Sequence, residues 1–387
     1  MKALVLASVA SMIWQFNMDN IRLLLEMGYE VSVVANFQTG NTCSEQVLEK
    51  LKQELRDLNV TYYDVPIPRN VTAIKGMYIS YKQIRDLLKK EPYDLLHCQS
   101  PVGGVLARMA AVASKLKGKV IYTAHGFHFY KGAPKKNWLI YYNIEKWMAR
   151  YTDVLITINK EDYHRAKQKF KLKKGGKVVY VPGVGIDTEK IAYIVNSVNR
   201  AEKRKKLGIK EDDFVLINAA ELSQRKNQKV ILEAVIELKE NYRKEVQVLF
   251  CGKGSMKQEL EDYAKQNGIR EQVKFLGYRT DLYELYAIAD CFIFPSLQEG
   301  LPVALMEAMA AGLPVVCSDI RGNRDLIEDK ENGYIVPVLQ SKHYSKSIYN
   351  LMKMKINNIN KRNLEVIKNY DIKKVRVHIR KKVYELF

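Results

Sequence analysis

The stretch Phe294-Pro295-Ser296-Leu297-Gln298-Glu299-Gly300-Leu301-Pro302-Val303-Ala304-Leu305-Met306-Glu307-Ala308-Met309-Ala310-Ala311-Gly312-Leu313-Pro314 decides the reading of the chain. The residues before it, 290–294, form a short apolar run with aromatic and β-branched side chains, the pattern of a buried strand. The residues after the loop, 303–311, read as a helix, with Pro302 placed at the first helical position and Gly312 and Pro314 marking the stop. Glu299 then lies on the strand-to-helix loop, and Glu307 lies about 7–8 Å along the helix axis from its start. Between the two carboxylates are the unbonded amides of the helix N-terminus, at Val303 and Ala304, which favour an anion. A phosphate site flanked by two hydroxyl-binding carboxylates fits a nucleotide-sugar.

A lone pair of glutamates at that spacing is ordinary on a solvated helix. The full string Pro295-Ser296-x-x-Glu299-Gly300-x-Pro302, followed by Glu307, is more specific. It resembles the donor-site signature of retaining glycosyltransferases of family 4. That resemblance implies an α/β protein of GT-B fold: two Rossmann-like doubly wound domains facing across a cleft, with a C-terminal helix crossing back to the first. It implies that Glu299 touches the donor hexose and Glu307 the ribose, with Gly300, Leu301, Pro302 and Val303 forming the donor loop between them.

At 387 residues the chain is long enough for two domains, each with its own core. Hydrophobic content of 47% and charged content of 27% are those of a soluble globular protein. The apolar opening, 1–10, has the look of a signal peptide. It runs, however, into an amphipathic helix over 16–27, Gly28 and a strand over 31–35, which is a βαβ beginning. No apolar run approaches membrane-spanning length. Cys43, Cys98, Cys251, Cys291 and Cys317 have no paired spacing, and four of them fall in or beside expected strands. They read as reduced thiols of a cytoplasmic protein.

The net charge of +20 is uneven. Residues 1–184 hold 28 Lys and Arg against 15 Asp and Glu, and residues 115–177 alone hold 16 against 4. Such a face implies a polyanionic partner. Within 129–177 the lysines alternate with aromatics, including Phe129, Tyr130, Trp138, Tyr141, Tyr142 and Trp147. This composition suits peripheral attachment to an anionic membrane surface, here the inner face of the cell membrane. A nucleic-acid-binding protein would also explain the charge, but no recognised module accompanies it, and no nucleic acid is expected.

Strands are expected over 2–7, 30–35, 61–65, 94–98, 119–124, 153–158 and 177–181, with helices over 44–58, 73–90, 103–116 and 137–150 between them. Alternation of this kind means a parallel doubly wound sheet, which binds ligands at the carboxyl ends of its strands. The first strand ends at Ser8 to Ser11 without the paired glycines the family often has. His97 reads as a structural strand-end histidine. His125, just past the fifth strand, matches a histidine that in the family contacts the donor sugar or its phosphate; His128 is a weaker candidate. Pro182, Gly183 and Gly185 read as an interdomain hinge, closing a first, acceptor-binding domain at 1–184 and opening a nucleotide-sugar-binding domain at 185–370 with a basic helix over 191–207.

The second half alternates again, with strands over 214–219, 246–251, 273–276, 291–294 and 315–318 and helices over 228–240 and 256–266. The loop after the first of these strands carries Arg225 and Lys226. Lys226 matches the family lysine on the donor diphosphate, and Arg225 is the available substitute for the family arginine, whose place holds Glu221. Two cations beside two phosphates would neutralise the leaving group. Gly252 and Gly254 follow the next strand and would let backbone amides approach phosphate; the spacing is neither a Walker A nor a dinucleotide fingerprint. Tyr278 and Arg279, after the strand over 273–276, match the family's nucleobase-facing position, with Thr280 and Asp281 capping the helix that follows. The basic segment 341–387 reads as helical, with 371–387 packing back on the first domain through Val375, Val377, Ile379, Val383 and Leu386.

The expectation is a glycosyltransferase that moves a hexose or N-acetylhexosamine from a nucleotide-sugar, taken as UDP-linked, to a lipid-linked polyprenyl diphosphate saccharide in capsule or exopolysaccharide synthesis. No Asp-x-Asp occurs, so no metal and no cofactor are expected. A nucleotide-sugar epimerase or a phosphorylase would share the fold. Oligomeric state is not legible.

Overall fold

The computed structural model describes residues 1–70, 72–354 and 357–387. The chain divides into two compact units, Met1–Val184 with Val375–Phe387, and Gly185–Lys374.

The first unit is a seven-stranded sheet: β1 (Lys2–Val9), β2 (Glu30–Asn36), β3 (Thr61–Asp64), β4 (Leu95–Gln99), β5 (Lys119–Ala124), β6 (Val154–Thr157) and β7 (Lys177–Tyr180). Its order is β3-β2-β1-β4-β5-β6-β7, and every pairing is parallel. The central strands β1, β2, β4 and β5 are almost wholly buried because helices cover both faces, so they read as continuous apolar runs. One face packs Val5, Val33, Ile156, Val375, Val383 and Tyr384 into a single core. The other packs Leu4, Leu96, Tyr122, Phe127, Phe129 and Phe170.

The second unit is a six-stranded parallel sheet: β8 (Val215–Ala219), β9 (Gln247–Cys251), β10 (Val273–Gly277), β11 (Cys291–Phe294), β12 (Val315–Ser318) and β13 (Tyr334–Val336), in the order β10-β9-β8-β11-β12-β13. In both sheets the strand order reverses beside the first strand, between β1 and β4 and between β8 and β11. Crevices for ligands form at such switch points.

Several elements differ from the sequence reading. The helix expected over 16–27 is Met18–Glu26, and a further helix, Ala10–Phe16, precedes it; the two meet at buried Asn17, whose side-chain amide donates to the Met12 carbonyl at 3.1 Å. The helix over 191–207 is two, Thr188–Ser197 and Arg200–Lys206, each started by its own side-chain cap, Asp187 and Asn199. β13, three residues long, was not foreseen. The helix over 137–150 is broken by a wide turn at Trp138–Tyr142. That turn presents Trp138, Tyr141 and Tyr142 to the core and leaves Leu139 at 73%, Ile140 at 51%, Ile144 and Trp147 exposed. Of the aromatics expected on the surface, Phe129 is a core residue, Trp138, Tyr141 and Tyr142 are half-buried against that core, and Trp147 is exposed beside the aliphatic side chains. In the terminal helix Ile372–Lys382, Val375 is buried and Ile379 packs against the core, while Val377 is exposed. Lys355 and Ile356 of the basic segment lie outside the described residues.

Cys98, Cys251, Cys291 and Cys317 are buried thiols, as the spacing suggested, and burial pushes each upward. Among the described residues no helix is long and apolar enough to cross a membrane.

Candidate active site

In the second unit the site forms where β8, β11 and β12 end, at the switch point. A tight turn, Gln224–Lys226, follows β8, and the backbone amide of Leu297 donates to the Arg225 carbonyl at 2.9 Å, fastening this turn to the loop after β11. Asn227, in the left-handed conformation with φ 56°, closes the turn and donates its amide to the Pro295 and Val338 carbonyls. The result aims Lys226 at Glu299, with Nζ 2.6 Å from Oε1. The Arg225 guanidinium stands 3.5 Å from the same oxygen and donates to the Gln298 carbonyl at 3.1 Å. The two cations and the loop carboxylate singled out in the sequence are thus one cluster. Lys226 also lies 5.1 Å above the Phe294 ring, which suits a cation held away from water. Glu221 is exposed, and its carbonyl accepts from Gln228.

The donor loop is fastened by residues that the sequence did not single out. Arg321, 4% exposed, donates through Nε to the Glu299 carbonyl at 3.0 Å. Ser318 donates to the Ser296 carbonyl at 2.5 Å, and Asn323 donates back to Ser318. Gly322 lies so close that a Cβ there would stand 2.5 Å from the Gly300 carbonyl. Buried backbone carbonyls in a loop need such partners.

The helix after the loop runs Val303–Ala310. Pro302 is not its first residue but its cap, with φ −81° and ψ 113°, and its carbonyl accepts from the Met306 amide. No side chain caps this end. Leu305, Met306, Ala308, Met309 and Ala310 are buried, and Glu307 is the helix's one charged residue. Burial pushes its carboxyl above the usual range, opposed by the Tyr283 hydroxyl, which donates to Oε1 at 2.9 Å. Tyr283 lies on the helix Leu282–Ile288, and no sequence pattern marked it.

Gly252 and Gly254 have a packing reason. A Cβ at either would stand about 2 Å from the Ala220 or Leu222 carbonyl, 1.9 and 2.1 Å respectively. The loop they form zips onto residues 220–222, with Leu222 donating to the Lys253 carbonyl at 2.9 Å. Tyr278 is 74% exposed. Arg279 grips Asp281 with two bonds of 2.8 and 2.7 Å, and Lys203 reaches the same carboxylate at 2.7 Å. Asp281 is held well below the usual carboxylate range by Arg279 first, and its side chain does not cap the helix as the sequence suggested.

In the first unit a cavity of about 330 Å³ opens at the ends of β1, β4 and β5, lined by Ser8, Ser100, His125, His128, Tyr122 and Glu145 among others. β1 runs directly into the helix at Ala10, so no glycine-rich loop exists there. Instead the Ser8 and Ser100 hydroxyls bond at 2.6 Å, and Ser8 accepts from the Gly103 amide at 3.0 Å. Ser100 holds φ 67° and ψ 155°, a conformation that costs a serine on the order of 1–3 kcal/mol.

His125 bonds through Nε2 to the Gln99 side-chain oxygen at 2.5 Å. That oxygen can only accept, so Nε2 carries the proton and Nδ1 is the acceptor nitrogen of the neutral ring. Burial lowers its pKa to about 4, keeping it neutral at pH 7. His97 is held between Tyr384 and Thr123 at 2.8 Å each, a structural role. Below the cavity the buried pair Arg108–Glu145, 2.9 Å apart, is completed by the Tyr122 hydroxyl on Glu145 at 2.7 Å.

Two parallel nucleotide-type units with switch-point sites define a GT-B fold, and solved structures agree over the full chain. The Anabaena protein HepE in complex with UDP-glucose matches at TM-score 0.74, with 17% identity and complete coverage of both chains. WaaG, a glycosyltransferase involved in lipopolysaccharide biosynthesis, matches at TM-score 0.72 with 18% identity and 99% coverage of each. The family model described as Glycosyltransferase Family 4 matches residues 16–190, and Glycosyl transferases group 1 matches residues 199–370. The chain is 39% identical over 337 residues to EpsD of Bacillus subtilis (strain 168), 87% of this chain and 83% of that one. It is 31% identical over 325 residues to an Escherichia coli UDP-Gal:alpha-D-GlcNAc-diphosphoundecaprenol alpha-1,3-galactosyltransferase, covering 82% of each. The chain belongs to the family 4 glycosyltransferases, and its role is glycosyl transfer.

Proposed function

We propose that the protein is a retaining, metal-independent glycosyltransferase of capsule or exopolysaccharide synthesis. It moves a hexose or N-acetylhexosamine from a UDP-linked donor to a saccharide on a polyprenyl diphosphate carrier, at the inner face of the cell membrane. The observation that carries the reading is the cluster of Lys226 and Arg225 on Glu299, beside the uncapped start of the helix that holds Glu307. In the reaction the bond from the anomeric carbon to the diphosphate breaks, a hydroxyl oxygen of the acceptor forms the new bond to that carbon, and the hydroxyl proton passes to the departing diphosphate. The departing diphosphate gathers negative charge, which Lys226, Arg225 and the helix amides offset. Glu299 holds those cations in place and is the carboxylate for the donor hexose. Glu307 takes the ribose. His125, neutral and with its tautomer fixed, is assigned to the donor sugar, and the 330 Å³ cavity to the acceptor saccharide. The HepE complexes with UDP and UDP-glucose support the UDP donor, and the galactosyltransferase relative supports a diphosphate-lipid acceptor.

A panel of UDP- and GDP-sugars with a polyprenyl diphosphate saccharide tests this, in buffer with EDTA. Transfer from one UDP-sugar with retained configuration is the expected result. Activity only with GDP-sugars, or only after Mg²⁺ or Mn²⁺ is restored, would overturn the donor or the metal-free reading respectively.

A further inference from the structure

β7 is the outer strand of the first unit's sheet, and its residues Val178, Val179 and Tyr180 are only half-buried. Along this edge runs a groove of about 990 Å³. One wall is the helix Lys160–Lys169; the other is the terminal segment, which His378 pins to the strand by a 2.9 Å bond to the Tyr180 carbonyl. Six lysines line it, Lys160, Lys167, Lys173, Lys177, Lys381 and Lys382, and no Asp or Glu is among its lining residues. Lys173 reaches Asp153 at 3.3 Å, and Lys167 lies over the Tyr163 ring at 5.5 Å, so a cationic excess is left. The floor is apolar: Phe170, Leu172, Val178 and Leu386.

We propose that this groove binds the phosphate of an anionic phospholipid, with the lysines around the headgroup and the glycerol and first methylenes on the partly exposed Leu172 and Leu386. A rim of cations over an apolar floor matches an amphipathic anion better than a fully hydrated one. The helix that forms one wall also packs against the turn that carries the exposed side chains Leu139 and Ile140. Phe170 packs on Tyr142 at 5.8 Å, and Arg165 lies 4.9 Å over Trp138, so the two helical stretches are side by side on one face of the sheet. The inference rests on the membrane-surface reading above and gives it a defined binding site.

The test is cosedimentation of the full chain with vesicles of phosphatidylcholine alone and of phosphatidylcholine with phosphatidylglycerol. The double variant Lys167→Gln, Lys382→Gln is compared with Lys50→Gln, Lys82→Gln, two exposed lysines of the same unit that lie outside the groove. The groove pair is expected to lose about thirtyfold in partition to the anionic vesicles and the control pair only a few-fold, with UDP affinity by calorimetry unchanged in both. Equal losses in the two pairs would overturn the groove and leave general surface attraction standing. No binding of the parent to anionic vesicles would remove the membrane reading and the groove together, while the donor reading, followed by UDP binding, would stand. Calorimetric binding of inorganic phosphate that the groove pair abolishes, with vesicle partition unaltered, would make it a site for the soluble anion and overturn the lipid assignment.

Discussion

Glu307 is a carboxylate on a helix with no other charge, and its position there has an energetic cost. Burial raises its pKa above the ordinary value, so the folded chain binds its proton more tightly than the unfolded chain does. Stability therefore falls as pH rises from the ordinary value through the raised one, and the full penalty is present above the raised value. Glu307→Gln keeps an acceptor for Tyr283 and removes the penalty. At pH 7 its melting temperature is expected to equal or exceed the parent's, while its UDP affinity falls about ten- to a hundredfold if Glu307 takes the ribose as proposed. Glu299→Gln should behave differently. It releases Lys226 from a 2.6 Å ion pair, so UDP affinity is expected to hold or tighten while turnover drops. Calorimetry set beside turnover separates the two. Loss of UDP affinity in Glu299→Gln with none in Glu307→Gln would show that the hexose and ribose ends are assigned the wrong way round, and equal loss in both would show that the two carboxylates do not divide the donor between them.

Among the elements, the one with most at stake is the helix Asn143–Met148, because a single buried ion pair joins it to two others. Arg108, on the helix Pro101–Ser114, is 1% exposed, stacks 3.8 Å from the β5 residue Tyr122 and pairs with Glu145. Removing one partner of such a pair leaves an uncompensated charge in the core. Glu145→Ala is expected to destabilise the chain by about 3–5 kcal/mol, measured by urea unfolding with an unchanged m-value. A loss below about 1 kcal/mol would mean that Arg108 has another way to satisfy its charge. Glu145 and Tyr122 also line the 330 Å³ cavity proposed for the acceptor, so the same pair sets its shape.

For the molecule as a whole, the decisive quantity is the charge of +20 and its concentration over 115–177. Attraction to an anionic surface of this kind acts over the Debye length, about 10 Å at 0.1 M salt and about 3 Å at 1 M. The protein is expected to bind anionic vesicles in low salt and to be released by raising the salt toward 1 M, as read by flotation. Equal binding to neutral vesicles, insensitive to salt, would show that the aliphatic stripe at Leu139, Ile140, Ile144 and Trp147 carries attachment without help from the lysines.

The sequence by itself determined the two parallel sheets, since apolar runs alternating with amphipathic stretches leave little other choice, and it placed Glu299, Lys226 and His125 at strand ends because strand and helix boundaries are local signals. What it could not determine were the partners. Tyr283 meets Glu307 across 24 residues, Arg321 meets the Glu299 carbonyl across 22, and Glu145 meets Arg108 across 37. None of these lies at a helical or strand period from its partner, so only the packing of separate elements brings them together. At Trp138–Tyr142 the composition pointed to a membrane surface, while aromatics packed on the sheet and a solvated lysine face fit the same residues. The wide turn sets Trp138, Tyr141 and Tyr142 half-buried against the core and leaves Leu139 and Ile140 outside, because covering the larger rings removes more apolar surface from water.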